Sequence, residues 1–221
     1  MLVLGLDTST KFCTVGLSED GDFLSEITVG GKNYSSEQMV GMISDILSRT
    51  GKSKKDIDLI AVGVGPGSFT GIRIAVTVAK TLAQVLNIPI VSVSSLEALT
   101  YRTFDGVVIA VEDARRERVY RGIYKDMGVV KEDKLVYTSD LIEAIKSIED
   151  KILVLAPLNI LKDLDSVKDK FESASEFERK IRGSAVAALG LRKFKEKGAD
   201  DLNSVLPNYL NMSQAEREFN K

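Results

Sequence analysis

The nine residues 63–71, Gly-Val-Gly-Pro-Gly-Ser-Phe-Thr-Gly, hold four of the seventeen glycines in the chain. They follow an apolar strand pattern at 56–64 and precede an apolar helix pattern at 70–86. Glycine permits positive φ angles and close approach of another backbone or an anion. A glycine-rich turn that opens a helix also directs free N–H groups toward one point. Two interpretations follow. One is an anion or phosphate site; the other is a tight strand-to-helix corner in which Gly71 is small for packing, and we favour the corner.

Histidine is absent from the 221 residues, and this absence removes several classes of enzyme. Ser-His-Asp triads, Cys-His pairs and His-x-x-x-His zinc sites all require it. The single cysteine, Cys13, has no intrachain disulfide partner. These absences exclude catalytic sites of those classes, and we expect no metal site and no cofactor. A net charge of −2 argues against general binding of nucleic acid by the whole chain.

The apolar segments are short and the N-terminus reads as a strand. No apolar stretch is expected to reach the length of about 18 residues that a membrane span needs. The first seven residues, Met-Leu-Val-Leu-Gly-Leu-Asp, lack the basic start of a signal peptide. We expect a cytoplasmic protein without a membrane partner.

Two successive units show the same pattern of apolar segments. The first has strand, strand, strand, helix, strand, helix, strand and helix patterns, at residues 2–7, 12–17, 23–29, 34–49, 56–64, 70–86, 90–93 and from 94. The second has three strands, a helix, a strand and a later helix, at 107–111, 118–125, 129–137, 139–148, 151–155 and 185–195. Residues 159–178 give no clear pattern. We predict a first lobe at 1–103, with 205–221 as a candidate addition to it, and a smaller second lobe at 104–204.

A repeated β-β-β-α-β-α-β-α unit is the architecture of the actin-like ATPase and sugar kinase superfamily, an α/β fold with ribonuclease H-like lobes. In that superfamily the turn between the first two strands of each lobe holds phosphates of a nucleotide. The first-lobe candidates for such a site are Asp7, Thr8, Ser9, Thr10, Gly65, Gly67, Ser68, Thr70 and Gly71. The same residues 7–10 are also typical of an ordinary hairpin turn. The second-lobe turn, residues 112–117, has no glycine and carries acids, so the second lobe is degenerate and the nucleotide clamp is incomplete.

The helix pattern at 70–86 is apolar over most of its circumference, which indicates burial on more than one side. One side must cover its own sheet, and the other needs the helix at 34–49 or another subunit. The candidates for a partner interface are Tyr34, Met39, Met42, Ile43, Ile46, Arg73, Ile74, Thr77 and Val78. The alternative is that the two helices pack only on each other.

Five segments together resemble the bacterial TsaB (YeaZ) family. They keep the order of that family and are residues 6–10, 62–73, 88–99, 113–120 and 207–210. The most specific of them contains Gly-Pro-Gly-Ser-Phe-Thr-Gly. One departure is Ser35-Ser36-Glu37, where family members often have His-Ser-Glu.

The resemblance implies a non-catalytic relative of TsaD, the tRNA threonylcarbamoyltransferase. Such a subunit pairs with TsaD through helices of the first lobe. With TsaE and a TsaC-type enzyme it supports formation of N6-threonylcarbamoyladenosine at position 37 of tRNA, and it meets tRNA through the complex. We expect it to form a homodimer when isolated. Two alternatives remain: a small ATP-dependent phosphotransferase with Asp7 as its metal anchor, and a free-standing homodimeric interaction protein.

Overall fold

The first sheet contains five strands. The computed structural model describes residues 1–31, 36–102 and 104–211. The strands are β1 (Leu2–Asp7), β2 (Phe12–Glu19), β3 (Asp22–Gly30), β4 (Ile57–Gly63) and β5 (Ile90–Val93). Their order is β3-β2-β1-β4-β5, with the first three strands antiparallel and with β4 and β5 parallel to β1. Strands β1 and β4 are almost wholly buried and apolar, as expected for a sheet that is covered on both faces.

The second sheet repeats this topology. Its strands are β6 (Val107–Asp113), β7 (Arg118–Lys125), β8 (Gly128–Tyr137), β9 (Ile152–Leu155) and β10 (Glu172–Ser173). Their order is β10-β9-β6-β7-β8, again with one antiparallel meander and two parallel additions. The predicted duplication is therefore confirmed. The last two strands are short: β9 has four residues and β10 has two.

The described residues form six α-helices, of which the first five connect strands. They are α1 (Ser36–Arg49), α2 (Phe69–Leu86), α3 (Ser95–Leu99), α4 (Thr138–Ser147), α5 (Leu158–Asp163) and α6 (Gly183–Lys197). Residues 159–178, which show no clear pattern in the sequence, form most of α5, a 3-10 helix at Asp165–Lys170 and β10. Each of these elements is too short to show a hydrophobic period, which explains the gap in the prediction.

In the part of the chain that the structure describes, the elements stack in five layers around three apolar cores. Helices α1 and α2 cover one face of the first sheet. Helices α3 and α6 lie between the two sheets and share a core with both. Helix α4, helix α5 and the 3-10 helix cover the outer face of the second sheet.

Helix α6 packs most closely on the first sheet, although it falls within the range 104–204 that was predicted as the second lobe. A Cβ added at Gly183 would lie 2.3 Å from the backbone nitrogen of Gly16 on β2. A Cβ added at Gly5 on β1 would lie 2.5 Å from the backbone nitrogen of Ala187. The predicted range 104–204 therefore does not pack as one unit around the second sheet. Periodicity shows that a helix has an apolar face, but not which sheet that face covers.

Helix α2 begins at Phe69, one residue before the predicted start, and is apolar as predicted. Among the described residues it is the one helix long and apolar enough to cross a membrane by length and composition. In the fold it packs on the first sheet, with Ile72, Ala75 and Ala79 at most 1% exposed. Seven of its eighteen residues are buried, so the core position accounts for one side of the helix.

Candidate functional site

The carboxylate of Asp7, at the end of β1, is 1% exposed and already accepts three hydrogen bonds. Its Oδ1 accepts from the backbone N–H and the hydroxyl of Ser9, both at 2.7 Å. Its Oδ2 accepts from the hydroxyl of Ser95 at 2.6 Å. Burial raises the pKa of Asp7, and the bonds from Ser95 and Ser9 oppose that rise. Asp7 thus joins β1 to the turn that follows it and to α3.

The turn after β1 lies directly against the glycine-rich loop. The backbone N–H of Ser68 donates to the carbonyl of Ser9 at 2.6 Å. The hydroxyl of Thr8 donates to the carbonyl of Gly71 at 2.6 Å. A Cβ added at Gly71 would lie 1.9 Å from the Thr8 carbonyl oxygen, and one added at Gly67 would lie 2.2 Å from that of Ser9. The glycines therefore allow two segments of the chain's own backbone to touch.

Ser95 is the site residue that the sequence reasoning missed. Its hydroxyl accepts from the backbone N–H of Gly65 at 3.0 Å while donating to Asp7. Its own N–H donates to the carbonyl of Gly65 at 2.9 Å. A Cβ added at Gly63 would overlap the Asp7 carboxylate, at 1.8 Å from Oδ2. The only sequence signal for this role was the serine pair at the end of the strand pattern 90–93.

The nine predicted phosphate residues are therefore brought together at one place. Six of them line a cleft of about 1360 Å³ between the two sheets: Ser9, Thr10, Gly67, Ser68, Thr70 and Gly71. Asp7, Thr8 and Gly65 do not line it. We call this space the interlobe cleft. It also contains basic side chains, those of Lys11, Arg115, Arg179 and Lys180.

The second-lobe side of the interlobe cleft carries acids and a left-handed turn. Arg115, Arg116 and Glu117 all have positive φ angles, of 64°, 55° and 59°. The carboxylate of Asp113 accepts from the backbone N–H of Arg115 at 2.7 Å and from the Asn159 amide at 3.0 Å. This turn is stabilised by its own side chains and presents no glycine for the approach of a phosphate.

Glu112 lies beside Asp113 in the interlobe cleft. Burial raises the pKa of Glu112 to about 7, and the neighbouring charge of Asp113 adds to the rise. The backbone N–H of Asp113 and the ammonium of Lys11 oppose it. Two adjacent carboxyl groups are a poor environment for a nucleotide phosphate.

The predicted partner surface on α1 and α2 needs correction. Five of its residues lie in the core of the first lobe, at 0–6% exposure: Met39, Met42, Ile43, Ile46 and Val78. Arg73 and Thr77 are exposed and Ile74 is half-buried. Tyr34 lies outside the described residues. The apolar face of α1 covers its own sheet. The exposed residues of the two helices include Val40 on α1, at 52% exposure, and Val85 on α2, at 75%.

The segment 205–211 lies on the first lobe. Val205 is 1% exposed in the core of that lobe, and its carbonyl accepts from the ammonium of Lys80 at 3.1 Å. The backbone N–H of Asn208 donates to the carbonyl of Val64 at 2.7 Å. The ring of Tyr209 stacks on that of Phe69 at the start of α2, with centroids 4.1 Å apart. The segment thus borders both the interlobe cleft and the exposed side of α2.

The fold is similar to those of solved two-lobed proteins. YeaZ from Pseudomonas aeruginosa superposes with a TM-score of 0.81 at 24% identity, over 95% of this chain and 99% of that one. A ROK hexokinase from Thermus thermophilus superposes with a TM-score of 0.53 at 12% identity, over 87% of this chain and 100% of the kinase. These likenesses confirm the predicted actin-like ATPase and sugar kinase fold.

Sequence comparison gives the family. Residues 30–217 match the family model described as TsaD, tRNA N6-adenosine threonylcarbamoyltransferase. The tRNA threonylcarbamoyladenosine biosynthesis protein TsaB of Bacillus subtilis (strain 168) is 35% identical, over 99% of this chain and 98% of the relative. A full-length match at this identity, on this fold, confirms the resemblance seen in the motifs: the chain belongs to the TsaB (YeaZ) family.

Proposed function

We propose that this chain is a non-catalytic subunit that pairs with TsaD in the formation of N6-threonylcarbamoyladenosine on tRNA. Its relative is named for that biosynthesis, and the matching family model is that of the transferase. The observation that carries the proposal is the contact between the turn 8–10 and the glycine-rich loop. In this chain the turn that would face phosphate in a related enzyme is hydrogen-bonded to the loop beside it, at one edge of the interlobe cleft.

The hydrogen bonding of the turn supports the non-catalytic role. In a phosphate turn, backbone N–H groups stay free for the ligand. Here the N–H groups of Ser9 and Ser68 are bound to Asp7 and to the Ser9 carbonyl. Asp7 itself is buried and does not line the interlobe cleft. These contacts favour a structural role over the phosphotransferase alternative.

The outer face of α1 and α2 supports the pairing. Val40 and Val85 are large apolar side chains that these helices leave in solvent. Arg73 and Thr77 lie exposed on α2. We assign TsaD to this face. TsaE and a TsaC-type enzyme act in the same pathway, tRNA is met through the complex, and the isolated chain uses the face for a homodimer.

Reconstitution tests the proposal. TsaD, TsaE, a TsaC-type enzyme, ATP, threonine, bicarbonate and tRNA are incubated with and without this protein, and the modified nucleoside is measured by mass spectrometry. We expect product only when the protein is present. Equal product in its absence would contradict the proposal.

Two binding measurements separate the alternatives. Calorimetry with Mg·ATP on the isolated protein is expected to show no stoichiometric binding, whereas tight binding would support a phosphotransferase. Native mass measurement is expected to show a homodimer that is replaced by a heterodimer when TsaD is added. A homodimer that persists with excess TsaD would support the free-standing interaction protein.

A further inference from the structure

Arg73, on the second turn of α2, is held by two aromatic rings. Its guanidinium carbon lies 4.2 Å from the centroid of the Phe69 ring and 5.8 Å from that of Tyr209. Its Nε donates to the hydroxyl of Tyr209 at 2.8 Å. The two rings are stacked at an interplanar angle of 19°. An exposed arginine is therefore fixed by a contact between α2 and the segment 205–211.

This arrangement leaves the outer part of the guanidinium available. Arginine carries five N–H donors in a planar fork, and only the Nε donor is used by Tyr209. Among the described residues, none accepts a hydrogen bond from either Nη nitrogen of Arg73. An exposed arginine normally loses rotamer freedom when it binds. In this fold the contacts with Phe69 and Tyr209 already restrict the rotamers of Arg73, so its guanidinium is preorganised for binding.

The guanidinium belongs to the outer surface. Phe69, Ile74 and Tyr209 line the interlobe cleft, but Arg73 does not. Arg73 is exposed on α2, as is Thr77 one turn further along. The free N–H groups of Arg73 are therefore placed to bind a macromolecule on this outer face and not a small ligand in the cleft.

The number of basic side chains on α2 indicates whether the partner at this face is a protein or an RNA. Arg73 and Lys80 are the two basic residues of α2, and the ammonium of Lys80 already donates to the carbonyl of Val205. Phosphate backbones are bound by clusters of basic side chains, and α2 does not supply one. A single planar cation one turn from polar Thr77, with apolar Val85 about three turns further along the same helix, fits a carboxylate at a protein interface better.

We propose that Arg73, held by Phe69 and Tyr209, is a preorganised anchor that binds a carboxylate of the partner subunit through its two Nη nitrogens. The proposal rests on the proposed function and names the chemistry of that contact. Tyr209 acts as a positioning residue because it fixes the guanidinium and need not touch the partner. The segment 205–211 thereby becomes part of the partner surface of the first lobe.

The test measures the Kd of the full-length protein for TsaD by calorimetry. Arg73→Ala is expected to raise Kd about 30-fold or more, the usual loss when one partner of a buried charge pair is truncated. Arg73→Lys keeps the charge but loses the fork, and about a 5-fold rise is expected. Lys131→Ala, which removes an exposed cation on β8, is the matched control and is expected to leave Kd unchanged.

Tyr209→Phe tests the positioning role separately. It keeps the ring stack and removes only the hydroxyl tether, so a rise in Kd of about 2- to 10-fold is expected. Binding by the wild type should weaken as salt increases, and Arg73→Ala should show a shallower salt dependence. Urea unfolding checks that each variant has wild-type stability.

The outcomes are distinct. Wild-type protein that does not bind TsaD at all overturns the proposed function and this inference with it. If the wild type and Arg73→Ala have the same Kd for TsaD at every salt concentration, the inference is overturned but the proposed function is not. If Arg73→Ala leaves Kd for TsaD unchanged but weakens binding of the complex to tRNA, the ligand is a phosphate and the carboxylate assignment is wrong.

Discussion

At the scale of single residues, three of the four glycines of the loop 63–71, Gly63, Gly67 and Gly71, are required by contacts with β1 and the turn after it. Gly63 abuts the carboxylate of Asp7, and Gly71 abuts the carbonyl of Thr8. Both contacts are with atoms that cannot move without breaking β1 or its turn. The loop is thus defined by what it touches within the chain.

A pair of helical glycines tests this contact. In Gly71→Ala the added methyl would overlap the Thr8 carbonyl, at 1.9 Å. We expect a loss of about 1–3 kcal/mol in the free energy of unfolding, measured by urea denaturation. Gly41→Ala on α1 is the control, since a Cβ there meets nothing within 4 Å. Alanine favours helix over glycine, so this control should gain about 0.5–1 kcal/mol. A gain in both variants would mean that the loop tolerates a side chain.

Glu112 provides a prediction on pH. Its pKa is raised from 4.5 to about 7 by burial and by Asp113, so the folded protein holds a proton there that the unfolded chain releases. The folded state is therefore favoured below about pH 4.5, and this contribution is lost as the pH rises to about 7. Glu112→Gln removes the titration. Between pH 4 and pH 8 the wild type should lose about 1–3 kcal/mol more stability than the variant.

Urea unfolding at the two pH values measures the effect. Glu176→Gln, an exposed acid of the same cleft, is the control and should change with pH as the wild type does. An identical pH dependence in Glu112→Gln and the wild type would show that Glu112 titrates as an exposed carboxyl.

At the scale of elements, helix α1 shows how the sequence located a helix but misjudged its face. The period of 3.6 residues correctly grouped Met39, Ile43 and Ile46. That group is the core face, because the sheet beneath α1 has an apolar surface to cover. The exposed side of α1, where we propose the partner surface, carries mixed residues such as Val40 and Asp45 and leaves no periodic signal.

Two aspartate substitutions on α1 separate folding from pairing. Ile43→Asp places a charge at a position that is 6% exposed and should cost more than about 3 kcal/mol of stability. Val40→Asp, at 52% exposure, should change stability by no more than about 0.5 kcal/mol. It should nevertheless weaken binding to TsaD. Thermal melts and calorimetry measure the two effects, and undiminished binding by Val40→Asp would move the partner surface off α1.

The sequence was most informative where regular elements are long. Strands β1 to β5 and helices α1 and α2 were predicted to within two residues, apart from the start of α1 at residues outside the described range. The contact of Ser95 with Asp7 was not predicted, since 88 residues separate the two. The stack of Tyr209 on Phe69 was missed for the same reason. Contacts between distant segments depend on the register of the whole fold, which a local pattern does not contain.

At the scale of the whole molecule, the two sheets are joined by a buried layer. Helices α3 and α6 contribute to a single apolar core with both sheets. A polar group reinforces it: Glu97 on α3, with a side chain 8% exposed, pairs with Arg192 at 2.9 Å and Lys193 at 3.0 Å on α6. Asp133 on β8 accepts from Ser94 at the start of α3. Relative movement of the sheets would disturb all of these contacts.

This layer predicts how fragments behave. Residues 1–103, the predicted first lobe, lack α6 and leave the inner face of the first sheet uncovered, including Val3, Leu59 and Ala61. We expect this fragment to remain unfolded by circular dichroism, while the full chain unfolds in one cooperative transition in urea. A folded, monomeric 1–103 fragment would show that the first lobe is independent of α6.

The direct bonding between the turn 8–10 and the glycine-rich loop has a consequence for regulation in the cell. Proteins that close around ATP change shape with the ratio of ATP to ADP, and so report the energy state of the cell. On the proposed non-catalytic function, Thr8, Ser9, Ser68 and Gly71 bond to one another where such proteins hold ATP phosphates. The subunit should therefore hold one shape in starved and in growing cells alike. Its contribution would be set by how much of it is synthesised, which makes its abundance the quantity to follow in vivo.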